Sequence, residues 1–186
     1  MKIWTSFTSV VALSAMTACL EGCPPVRARE PAVAVASEAR TAQPASAGQV
    51  AFDALKQLYG KWEAPMGTKT LVDTFQPFAF GTAILAEEWL GDQQITSTVF
   101  YMVGSELRAD HYCDYGNQPR YVAVPSADPS IIQLDLREAT NLDTHPTHFH
   151  STTWHLIDAA HMTQDWNVEG SPKGKSTAHL QFVKRG

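Results

Sequence analysis

The sequence predicts an all-β protein: an antiparallel up-and-down barrel of about ten strands, with one short N-terminal helix. Three observations carry this. From about residue 60 onward the chain breaks into strand-length runs separated by turn residues, with no helical segment between them. Several runs alternate with a period of two, as in Leu107, Ala109, His111 and Cys113, or Ile132, Leu134 and Leu136. The only helical pattern, Phe52, Leu55 and Leu58 with Gly60 as a stop, stands at the front like a plug. The rival architecture is an open β-sandwich. It needs connections longer than hairpins, and only 126–130 and 139–146 qualify.

In chain order, Met1-Lys2 and the apolar stretch 3–18 read as a signal peptide, too short and too rich in Ser and Thr for a membrane span. Small residues lead into Cys19, the pattern of a lipidation site, although Met16 stands where Leu is usual. The alternative is ordinary cleavage after Ala18 and a free secreted protein. Leu20 after the cysteine points to the outer membrane, so the expected location is the cell envelope, lipid-anchored and facing the periplasm. Residues 19–48 are rich in Ala and Pro, and from 24 to 48 no aromatic residue occurs. Such a stretch buries too little apolar surface to offset its ordering entropy and reads as a disordered tether.

The expected folded domain is 49–186, with a helix over 50–59 and Trp62 opening the first strand. Strands are expected near 61–65, 68–76, 81–90, 94–103, 106–114, 119–125, 131–138, 147–157, 160–169 and 175–184. Residues 49–186 carry ten basic and sixteen acidic side chains with no basic run, which argues against nucleic acid as a partner. All seven histidines lie there as well. Cys23 and Cys113 are able in principle to pair, but one sits in the tether and the other points inward, so two free thiols are expected.

The least ordinary stretch is His111-Tyr112-Cys113-Asp114-Tyr115-Gly116-Asn117-Gln118-Pro119-Arg120. Gly116-Asn117 suits a tight reversal, and Pro119 pushes Gln118 into an extended conformation. The pattern His-Tyr-Cys-x-x-Gly-Asn-Gln-Pro-Arg resembles the signature of a bacterial family of small uncharacterised proteins with a lipocalin-like (calycin-like) barrel. Ala139-Thr140-Asn141-Leu142, His148-Phe149-His150 and Thr163-Gln164-Asp165-Trp166 extend the likeness over the chain from about residue 50. Gly60-Lys61-Trp62 is similar to the Gly-x-Trp with which calycin barrels begin. The resemblance implies a fold and leaves the chemistry to be argued from the residues.

On strand 147–157 the face carrying His148, His150, Thr152, Trp154 and Leu156 is expected to point inward. His148 and His150 would emerge roughly 6.6 Å apart, a spacing that suits two ligands of one divalent metal, with a third needed from elsewhere. The bland reading is two hydrogen-bonded or solvent-facing imidazoles. Haem is the other candidate cofactor, because nitrobindins, a haem-binding branch of such barrels, begin Gly-x-Trp-x-Gly-x-Gly. Both later glycines are missing here, and His150, His155 or His179 would have to serve as the axial ligand. Cys113 and His111 are too far apart along a strand for an activated thiolate. Arg120 and Glu88 are candidates for a buried pair.

The expected pocket is therefore lined by Glu88, His111, Cys113, Arg120, His148, His150, Trp154, Gln164 and Trp166, with a small amphipathic or apolar molecule as ligand and the lipid bilayer as the second partner. His111, Arg120, His148, His150 and Gln164 are expected to converge at its polar end. No residue set combines a nucleophile, an orienting base and an oxyanion donor, so no catalytic residue is assigned. An acid–base enzyme using His111 and Glu88 is the alternative.

Overall fold

A computed structural model describes residues 44–186. The expected signal peptide, Cys19, Cys23 and most of the expected tether lie outside the described residues. The helix is α1 (Ala47–Lys56), and the strands are β1 (Gly60–Met66), β2 (Lys69–Phe78), β3 (Ala83–Leu90), β4 (Gln93–Val103) and β5 (Glu106–Tyr112). They continue with β6 (Pro119–Val124), β7 (Ile131–Ala139), β8 (His148–Leu156), β9 (His161–Glu169) and β10 (Ser176–Arg185). Each strand pairs antiparallel with the next, and β10 returns to β1 to close a ten-stranded barrel. Closure disposes of the sandwich alternative, and every expected strand is present within two residues at either end.

The helix begins earlier than its apolar pattern suggests because Ser46 caps it, its hydroxyl accepting from the Gln49 N–H at 3.1 Å. The same hydroxyl donates to the Ser105 carbonyl at 3.0 Å, which ties the helix to the β4–β5 turn. Gly48 permits that approach: a Cβ there would stand 2.3 Å from the Ser105 carbonyl oxygen. Phe52, Leu55 and Leu58 are buried beneath the helix and plug this end of the barrel. Trp62 is buried beside them, its indole N–H donating to the Leu58 carbonyl at 2.6 Å. In the middle, Phe75 and Phe100 meet Trp154 edge-on, with ring centroids 5.7 and 5.4 Å away.

Hairpins alternate between the two ends, so the turns β1–β2, β3–β4, β5–β6, β7–β8 and β9–β10 share the end opposite the helix. Three β-bulges also lie near that end. They interrupt β3–β4 at Glu88/Trp89, β6–β7 at Arg120/Tyr121 and β8–β9 between Phe149 and Ser151. A bulge adds one residue to one strand and re-aims the side chains beyond it. In β8 the added residue is His150, which leaves Phe149 opposite Val168 on the inner face and Ser151 opposite Asn167 on the outer face.

Candidate ligand-binding site

The inner face near the open end is a polar seam set in aromatic walls. Asp73 on β2 is the cross-strand partner of Glu88 on β3, and Glu88 is the partner of Thr96 on β4. Thr98, two residues on, faces His111 on β5. The regular alternation of these strands places all five side chains on one face. From across the barrel, the Gln164 amide donates to Asp73 Oδ2 at 2.9 Å and accepts from the Trp166 indole at 2.8 Å. Thr96 donates to Glu88 Oε2 at 3.2 Å. His111 Nδ1 and the Thr98 hydroxyl are 2.8 Å apart, while the buried Nε2 has no partner.

Two cavities follow this seam. The deeper one, about 20 Å³, is bounded by Asp73, Glu88, Thr96, Thr98, Trp154 and Gln164 among others and has the size of one water. The second, about 130 Å³, lies at the mouth against Glu88, Thr96, His111, Asp114, Tyr115, Phe149 and Trp166, with Met66, Ile95, Ala178 and Leu180 as its apolar side. Its volume is close to that of the roughly 150 Å³ engineered cavities that take up benzene. Phe149 anchors the wall, stacked on Tyr115 at 5.3 Å and packed on Trp166 at 5.1 Å and His111 at 5.8 Å between centroids.

Burial tunes the ionisable groups strongly. Desolvation pushes the His111 imidazole down to about 4, so it is neutral at physiological pH. Desolvation, aided by the nearby Asp114 charge and opposed by the Thr96 hydrogen bond, raises Glu88 to about 7. Asp73 is held well above the usual carboxylate range by burial first and by Glu88 second, against the Gln164 hydrogen bond. Both carboxyls thus face each other without both carrying charge. Glu88 is poised to take or give a proton near neutrality, and His111 to offer or accept a neutral hydrogen bond. Burial also raises the Cys113 thiol to about 12, which leaves it a small hydrophobe.

No protein-family model matches the sequence, and no curated protein matches it either. Solved structures do. Rv2717c from M. tuberculosis superposes with a TM-score of 0.52 over 73% of this chain and 97% of its own, at 12% identity. The likeness is one of fold. A protein of unknown function from the DUF3598 family of Nostoc punctiforme PCC 73102 aligns with a TM-score of 0.41, at 11% identity, over 71% of this chain and 49% of its own. The chain thus shares its fold with Rv2717c, and its chemistry rests on its own side chains.

The structure brings together Glu88, His111, Trp154, Gln164 and Trp166 of the residues expected from sequence. Cys113 is buried but lines neither cavity, its Sγ lying 3.6 Å from Asp114 Oδ1. Arg120 is a correction: it alternates with inward Pro119 and Tyr121, points outward and pairs with Glu138 at 3.0 Å and Asp110 at 3.9 Å. No Arg120–Glu88 pair forms. His150 is a second correction, displaced to the outside by the bulge, with its side chain 46% exposed. His148 precedes it and is buried against the Pro146 carbonyl, to which Nδ1–H donates at 2.8 Å, and against His150 Nδ1 at 3.4 Å. The expected five-residue convergence therefore reduces to His111 and Gln164.

Among the described residues no three His, Cys, Asp or Glu side chains are grouped to hold a metal ion. His150, His155 and His179 are exposed and line neither inner cavity, so they do not fit a haem held within the barrel. Asp73, Thr98, Phe149, Asp114 and Tyr115 were not among the expected site residues. Asp73 had a legible signal, since Leu71, Asp73 and Phe75 alternate on one apolar face. Phe149 had none, because a bulge leaves no mark in the period of two.

Proposed function

We propose that this protein is a small-molecule-binding barrel whose mouth cavity takes a ring-sized amphipathic ligand, and that the barrel is held at the bacterial envelope by a lipid on Cys19. The single observation that carries the first part is His111: a buried imidazole fixed on one side by Thr98, with its other nitrogen unpartnered, on the wall of an apolar and aromatic cavity. An unmet buried hydrogen-bonding group costs about 1–3 kcal/mol. A ligand that meets it recovers that cost while covering Phe149, Trp166 and Leu180. The similar fold of Rv2717c supports a barrel of this kind and says nothing of the ligand.

Ala178 supplies the test, since it lines the cavity without making any of its polar contacts. Ala178→Trp should fill the cavity and abolish benzyl alcohol binding measured by calorimetry, with the circular dichroism spectrum unchanged. Equal binding in the filled variant would contradict the proposal. The anchor is tested separately, by metabolic labelling with a fatty-acid analogue in a bacterial host. Label should enter the parent and be absent from Cys19→Ala; equal label in both would overturn the anchor alone.

A further inference from the structure

We propose that the molecule taken by the mouth cavity is a small organic cation, a protonated amine on a ring-sized apolar body. The inference rests on the reading of this cavity as a ligand site and names the class of ligand.

Four observations point the same way. Two carboxyl groups, Glu88 and Asp114, line the cavity, and no Lys or Arg does. Neither carboxyl has a salt-bridge partner among the described residues, whereas Glu63, Glu106, Asp110, Glu138 and Glu169 all do. Three aromatic rings, Tyr115, Phe149 and Trp166, form the wall beside them. Aromatic rings with carboxylates at their edge are a good environment for an ammonium group, because the ring quadrupole and the charge attract it together. The fourth is the unpartnered His111 Nε2. In the tautomer whose Nδ1–H donates to the Thr98 hydroxyl, Nε2 carries a lone pair, and an ammonium N–H is a donor that would meet it. An anion would meet the Glu88 and Asp114 carboxyls with no cationic side chain in the lining to offset them.

The groups facing Glu88 are Asp73 from β2, Thr96 from β4, Asp114 and Tyr115 from the β5–β6 turn, and His111 from β5. None is cationic at neutral pH, since His111 remains neutral down to about 4. An ammonium group placed among them offsets the burial that keeps Glu88 protonated. Glu88 then loses its proton to solvent as the cation enters, and uptake strengthens with pH through about 7.

The test is calorimetric titration of the full chain with benzylamine, benzyl alcohol and benzoate at pH 6 and pH 8. Benzylamine should bind at least about tenfold tighter than benzyl alcohol at pH 8 and lose most of that advantage at pH 6, and benzoate should not bind. Glu88→Gln should reduce benzylamine to the affinity of the alcohol, with an unchanged circular dichroism spectrum as proof of a folded barrel. Equal or tighter binding of the alcohol or of benzoate, or an unchanged preference in Glu88→Gln, would overturn the cation and leave the pocket standing. Failure of all three probes to bind would remove the ligand site and the cation with it.

Discussion

His111 and Glu88 share one wall and respond to burial with opposite signs. A His whose folded pKa is lowered from 6.5 to about 4 is neutral in the barrel while the unfolded chain takes a proton, so its contribution to stability grows as pH rises through that window. Glu88, raised from 4.5 to about 7, keeps a proton the unfolded chain has lost, so its contribution is full below 4.5 and is lost as pH rises through 7. Asp73 adds to the Glu88 side. In the parent the slopes oppose each other between pH 4.5 and 6.5. Relative to the parent, His111→Gln should therefore steepen the loss of stability across that window by about 2–3 kcal/mol, and Glu88→Gln should lessen it. Urea unfolding at pH 4.5 and 6.5 reads both, and parallel pH profiles in the two variants would contradict the assignment. Tyr115, Phe149 and Trp166 add no titrating group in that range. Gly116 makes a separate case: it has φ +85°, and a Cβ there would lie 2.9 Å from the His145 ring, so Gly116→Ala should destabilise by about 1–3 kcal/mol without shifting the pH profile.

The β5–β6 hairpin performs two tasks with one motif. His111 belongs to the cavity, whereas Asn117 and Gln118 hold the turn against the β7–β8 connection. The Asn117 amide donates to the His145 and Thr147 carbonyls at 2.9 and 2.6 Å, and Gln118 bonds Thr140 through both backbone and side chain. Asn117→Ala removes both bonds to these partly buried carbonyls and should cost about 1–3 kcal/mol in chemical denaturation, with hydrogen exchange accelerated over 140–147. The bulge in β8 yields the complementary prediction. Deleting His150 restores regular pairing from Phe149↔Val168 to Ser151↔Asn167, so the shortened chain should fold and still bind benzyl alcohol. Loss of binding would restore His150 to the site. The turns, the strands and the inward positions of Thr152, Trp154, Gln164 and Trp166 were legible because hairpin spacing and a period of two are local. The fate of His150 and Phe149 was not, since the inserted residue shows only in the partner strand. Arg120 was not legible for a different reason: the hairpin return brings it beside the His111 strand without fixing its face, and inward Pro119 and Tyr121 leave it outside.

At the scale of the molecule, closure and opening divide the barrel. The helix, Trp62 and the β1–β10 seam seal one end, and the seam rests on three residue pairs, Lys61↔Arg185, Trp62↔Lys184 and Glu63↔Val183. A chain ending at Phe182 loses all three, together with the Arg185–Glu63 ion pair at 2.9 Å. It should unfold at a midpoint lower by about 2–4 kcal/mol equivalent, with mouth residues affected only through global stability. The other end gathers the three bulges, the signature hairpin and the polar seam around a cavity of about 130 Å³. Nuclear magnetic resonance of the full chain, with imidazole and indole nitrogens labelled, tests that division most directly during titration with benzylamine at pH 8. Saturable shifts of His111 Nε2 and the Trp166 indole are expected, with His161 and His179 on the outer surface unmoved. Shifts confined to the outer histidines, with His111 and Trp166 unchanged, would contradict that division.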